Sequence, residues 1–107
     1  MTEVLKSSPE NELRRLIDIV AKLRGPEGCP WDIEQTPESM IPFLLEEAYE
    51  VVESIEDGKQ EDILAELGDL LLHIVMQAQM AEEQNNFELR DAIYSINEKL
   101  IRRHPHV

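Results

Sequence analysis

One cysteine, Cys29, is all the thiol in this chain. A lone thiol closes no internal disulfide and builds no thiolate metal cluster, and a reducing cytoplasm is the expected home. Cations are scarce too: 10 Lys and Arg stand against 23 Asp and Glu, a formal net charge of −13. Such a surface repels phosphate backbones and anionic lipid over most of its area. No general nucleic-acid binder and no membrane-surface protein is therefore expected, whereas divalent cations are attracted. No uninterrupted apolar run approaches the ~18 residues of a membrane span, and the opening "MTEVLKSSPENELRR" lacks the apolar centre of a signal peptide. Strand patterns, internal repeats and low-complexity tracts are also missing.

What is present is helix. With 107 residues, the chain suits one domain, 1–107, with a modest core, because a chain of this size buries roughly 60–70% of its unfolded surface. Pairing with a second copy would bury more. Four helical segments stand out. The first is expected from about Pro9 to Leu23, capped by Ser8, with Leu13, Leu16, Ile17 and Val20 as its apolar stripe. "RGPEGCPWDIEQT", residues 24–36, reads as a loop. Thr36 and Pro37 open the second helix, with a kink at Pro42 and a stop at Gly58. The third runs from about Gln60 to Glu83 and is broken by "QNN". The fourth runs from about Phe87 to Arg102 or Arg103, with Asn86 as its cap. The expected fold is all-α, a small four-helix-bundle-like domain completed by oligomerisation.

Helical periodicity places the acids. On the second helix Glu46, Glu50, Glu53 and Asp57 share a narrow arc, opposite Leu44, Leu45, Ala48, Val51, Val52 and Ile55. Glu47 sits at the shoulder, three residues from Glu50 and so its surface neighbour. A solvated face explains most acidic runs, and that reading is kept for Glu53, Glu56 and Asp57. The third helix is different. Within "ELGDLLLHIV" and its flanks, Asp62, Glu66, Asp69, His73 and Gln77 form one stripe on an otherwise apolar cylinder. A helix that apolar is expected to be surrounded by protein, so its acids should face a cleft or a narrow strip of surface.

Two carboxylate pairs thus arise at spacing three, Glu47 with Glu50 and Glu66 with Asp69. The segment between them is long enough for the helices to return antiparallel and face each other. Four such groups would repel, and some would hold their protons unusually late. A divalent cation removes the conflict, and an oxygen-only set favours Mg²⁺ or Mn²⁺. His73 lies one turn from Asp69, within ligating reach, but a histidine satisfied at the edge of the core is the commoner case. Gly68 inside the helix points to close approach by a backbone or ligand.

The one basic region is "KLIRRHPHV", residues 99–107. Lys99 and Arg103 share a helical face and form a candidate anion site, though cations also suit a helix C-terminus for its dipole. Trp31 offers a face for a nucleobase; packing of the loop on the bundle is the commoner use.

The blocks "LRGPEGCPWDIEQT", "LLEEAYEVVESI", "ELGDLLLHIVMQAQMA" and "KLIRRHPHV" occur in this order. Together they resemble the MazG family of nucleoside triphosphate pyrophosphohydrolases, from about Leu13 to Val107, and the first domain of its two-domain members in particular. The resemblance implies an all-α fold assembled as a homodimer or homotetramer. It implies Mg²⁺-dependent hydrolysis of a nucleoside triphosphate to monophosphate and pyrophosphate, in housecleaning or regulation of the nucleotide pool. It would make Glu47, Glu50, Glu66 and Asp69 the metal ligands, and Lys99 and Arg103 phosphate contacts. Glu46 and Glu50 are the candidate general bases. A catalytically silent nucleotide- or partner-binding module and a carboxylate-bridged iron protein are the competing readings.

Overall fold

A computed structural model describes residues 7–107. Among these are five helices and no strand, so the all-α expectation holds. Helix α1, Pro9–Leu23, begins as expected: Ser8 Oγ accepts the Asn11 N–H at 3.0 Å, and Pro9 occupies the first turn. The chain then folds tightly back on the end of α1. The Cys29 N–H donates to Leu23 O at 2.9 Å, with Glu27 in the left-handed region at φ 63°. Any Cβ at Gly28 would collide with the Leu23 carbonyl. That position therefore admits only glycine.

The segment expected to be wholly irregular contains a short helix, α2, Pro30–Glu34. Pro30 presets its first φ, a local effect that the surrounding glycines mask in the sequence. Thr36 does not open the next helix. Its N–H donates to Ser39 Oγ at 2.8 Å, and the Ser39 N–H donates to Thr36 Oγ1 at 3.0 Å. This reciprocal pair closes a separate turn. Helix α3 is Ile41–Asp57, so Pro42 lies in its first turn, where no N–H is needed, and the expected kink has no cause. Gly58, at φ 76°, ends α3 as expected.

Helix α4, Gln60–Glu83, returns antiparallel to α3 and is stopped at Gln84–Asn86, where Asn85 turns left-handed. Helix α5 is Leu89–Arg103, two residues later than Phe87. Its cap is Glu88 rather than Asn86, because Asp91 reaches back to accept the Glu88 N–H at 2.8 Å.

The core gathers Val20, Met40, Val75, Met76 and Met80, with Leu16, Ile17, Leu72 and Leu89 packed around it. It lies on the C-terminal half of α4, under α1. The N-terminal half of α4, which contributes no residue to that core, runs along α3, and the two form an arm. Here the expectation of a helix surrounded by protein is corrected. Leu64 is 75% exposed, and Leu67, Leu71 and Ile74 are open beside it. On α3, Ile41, Leu45, Val52 and Ile55 are open as well. Too few elements pack around the arm to cover both its faces. A Cβ at Gly68 would likewise meet nothing within 4 Å, so no close approach inside this chain explains that glycine. Helix α4 is also long and apolar enough, by length and composition alone, to cross a membrane. Glu66, Asp69 and His73 punctuate it, so no uninterrupted apolar run marks it in the sequence.

A candidate metal centre between α3 and α4

The inner line of α3 is Glu47, Val51 and Ser54, spaced four and three, and these are its buried residues. Ser54 satisfies itself by donating to Val51 O at 2.7 Å. Glu47 has no such outlet. It is only 8% exposed, and it faces the acid stripe of α4. One carboxylate oxygen from each of Glu47, Glu66 and Asp69 lies within 4.8 Å of the others. Oε2 of Glu47 and Oε2 of Glu66 are buried without a hydrogen-bond partner. Glu50 stands against Glu66 on the wetter side. Beyond it Glu50, Glu53, Ser54, Asp57, Asp62 and Glu66 line an open cleft of about 210 Å³.

The charged groups that act on these carboxyls are other carboxylates. Burial, first, and the neighbouring Glu50 and Asp69 hold the Glu47 pKa above the ordinary carboxylate range. Glu50 is raised chiefly by the Glu66 carboxyl beside it, and Glu66 chiefly by Glu47. Buried, unpartnered, like-charged oxygens are costly unless something cationic joins them. Among the described residues no Lys or Arg pairs with them. The donors are hard oxygens only, which suits Mg²⁺ or Mn²⁺.

A sign follows for the metal-free protein. A carboxyl whose folded pKa exceeds its unfolded value favours folding below the unfolded pKa, near 4.5. That advantage is lost as pH rises through the folded value. In EDTA, Glu47→Gln should therefore melt several degrees above the parent at neutral pH, and at the same temperature as the parent near pH ~4. Thermal melts at both pH values test this; a variant less stable than the parent at neutral pH would show that the cluster is not strained.

The remaining candidates are more scattered. Glu46 is exposed, close enough to Glu50 to influence it. His73 is partly buried with Nδ1 unpartnered, outside the trio. Gln77, last of the stripe, donates to Pro37 O at 3.1 Å and ties α4 to the turn before α3. Lys99 and Arg103 are exposed on α5, and within one chain they form no ion pair with the carboxylates. Trp31 packs edge-on against Phe43, with centroids 5.7 Å apart and planes at 75°. Phe43 and Arg24 escaped the sequence reading. The spacing of four between Phe43 and Glu47 was the signal for the first; nothing local marks the second.

The chain matches the model of the MazG nucleotide pyrophosphohydrolase domain over residues 35–107. It is 52% identical over 92 residues to the nucleoside triphosphate pyrophosphohydrolase/pyrophosphatase MazG of Thermotoga maritima, covering 86% of this chain and 36% of that protein. It is 49% identical over 98 residues to the nucleoside triphosphate pyrophosphohydrolase of Escherichia coli K12, covering 91% of this chain and 37% of the relative. The like-named protein of Mycobacterium tuberculosis is 38% identical over 109 residues, covering 96% of this chain and 33% of its own length. The chain thus spans little more than a third of the first two relatives.

Proposed function

Because this chain belongs to the MazG nucleotide pyrophosphohydrolase domain family, we propose that it hydrolyses nucleoside or deoxynucleoside triphosphates to the monophosphate and pyrophosphate. The observation that carries this reading is the trio Glu47, Glu66 and Asp69, with two buried oxygens lacking any partner. Residues 1–107 act as one domain. Glu47, Glu50, Glu66 and Asp69 would hold Mg²⁺, or Mn²⁺ in its place, which when bound neutralises charge on the phosphate oxygens and on the leaving pyrophosphate.

The chain's own groups do the rest. A water attacks the α-phosphorus in line, and the bond from that phosphorus to the bridging oxygen breaks as pyrophosphate leaves. Glu50 takes the proton of the attacking water. It stands against Glu66 on the wetter side of the cluster, where a water can reach it as a general base requires. Glu46, exposed next to it, is the reserve base. Lys99 and Arg103 bind the outer phosphates, and Trp31 takes the base. Lys99 and Arg103 form no ion pair with the acids within one chain, and the complete site belongs to a homodimer or homotetramer. The open faces of α3 and α4 supply the contact. The acidic surface disfavours nucleic-acid and membrane partners, and the enzyme works in the cytoplasm on the nucleotide pool.

Incubation with a panel of deoxynucleoside triphosphates and Mg²⁺ should release pyrophosphate and monophosphate. Orthophosphate in its place would reject the scissile bond. Stabilisation by nucleotide with no turnover of any panel member would make this a silent binding module.

A further inference from the structure

Arg24 lies just past α1, and its guanidinium makes four hydrogen bonds, two to Glu83 and two to the backbone of the segment that follows α1. Nε and Nη2 donate to the two carboxylate oxygens of Glu83, near the end of α4, at 2.9 and 2.8 Å. Nη1 donates to Asp32 O and, at 3.1 Å, to Gln35 O. The side chain is 9% exposed. The Arg24 pKa is raised and the Glu83 pKa lowered, each chiefly by the other, so both stay charged. A bidentate pair that also satisfies two backbone carbonyls is a clamp, and only the planar guanidinium fork makes all four bonds at once.

What the clamp holds is the segment that carries Trp31. Asp32 follows Trp31 directly, and Gln35 closes α2 by donating to Trp31 O at 2.9 Å. The far end of the segment has its own ties, through Ser39 to Gln35 and Gln77 to Pro37 O. The stretch from Cys29 to Glu34 carries no other side-chain bond to the body of the protein among those described. Trp31 is half exposed, and Phe43, against which it packs edge-on, is nearly so. Phe43 stands one turn before Glu47 on α3, about 6 Å along the axis. A half-exposed aromatic pair one helical turn from a carboxylate centre lies within the reach of a nucleotide whose phosphates are at that centre.

We infer that Arg24 is a positioning residue: with Glu83 it fixes the Trp31 segment so that Trp31 and Phe43 form a shelf for the nucleobase. The inference rests on the proposed hydrolysis of nucleoside triphosphates. The shelf is sequence-tolerant, since every base has a stacking face. It acts on substrate binding and leaves the bond-breaking step alone.

Trp31 is the only tryptophan, so its fluorescence reads the segment directly. In Arg24→Lys the charge stays, but a single ammonium cannot serve Glu83 and both carbonyls together. Acrylamide quenching of Trp31 should rise at least twofold over the parent. With the dNTP panel and Mg²⁺, KM should rise about tenfold while kcat stays within twofold. Phe43→Leu should raise KM in the same way with the helical circular dichroism intact. Unchanged quenching in Arg24→Lys would overturn the clamp. Loss of kcat at constant KM would overturn the base-binding role and leave Arg24 a mere support of the fold. Arg24→Gln is the harsher companion; should it unfold, the lysine variant still decides. Should the parent turn over no nucleotide, the proposed hydrolysis fails, and quenching of Trp31 alone then judges the clamp.

Discussion

Glu66→Gln and Asp69→Asn should each lower pyrophosphate release by more than about 100-fold, a loss beyond the 10–100-fold typical of residues that only support a metal ligand. Both should erase the rise in melting temperature that Mg²⁺ produces in the parent. The geometry explains why the effect should be large. Glu47, Glu66 and Asp69 are the three groups whose oxygens converge within 4.8 Å, so removing one leaves no substitute at that spot. The shape change is nil, since the amides are isosteric with the acids. Folding should survive, because the clustered charges are not what holds α3 to α4: the Glu47, Glu50 and Glu66 carboxyls all have raised pKa values from crowding by one another and burial. Activity assays paired with melts in Mg²⁺ and in EDTA separate the two effects. Full turnover by either variant would remove that residue from the ligand set.

The second large effect concerns assembly. Leu67→Glu combined with Leu71→Glu should convert an oligomer to a 12.4 kDa chain, measured by light scattering after size exclusion. On α4, Leu64, Leu67, Leu71 and Ile74 are open and spaced three, four and three; on α3, Ile41, Leu45, Val52 and Ile55 are open alongside. This is the spacing of a seam that packs against other helices, and fully covering such a side chain is worth about 1.5–3 kcal/mol. A charge at two of its central positions would have to be desolvated in any partnered state. The parent's melting temperature should rise with protein concentration and that of the variant should not. Turnover should fall with assembly, since the proposed site is completed by the oligomer. A variant that keeps the parent's mass would refute the seam, and a parent that itself runs at 12.4 kDa would end the oligomer proposal.

Local signals in the sequence were sufficient for much of the fold. Ser8 and Pro9 start α1 and Gly58 ends α3, because caps and left-handed stops depend on a few adjacent residues. The carboxylate pairs were legible for the same kind of reason: a spacing of three or four puts side chains on one face whatever the surroundings. Errors arose where two local signals competed. Thr36 and Pro37 resemble a helix start, yet the reciprocal bonds of Thr36 with Ser39 close a separate turn, and the proline that begins α3 is Pro42.

By itself, then, the chain's residue order determined that it is helical, where most helices stop, and that four acids fall in two pairs, one on each of two successive helices. Tertiary structure decided what periodicity cannot express. It turned the Glu47 line of α3, and not the more apolar Leu45 and Val52, toward α4. It left the leucine face of α4 open instead of buried, and it brought Arg24 to Glu83 across 59 residues. Periodicity ranks the faces of one helix, whereas burial depends on which neighbours exist to cover them, and pairings between distant residues leave no mark on either local stretch.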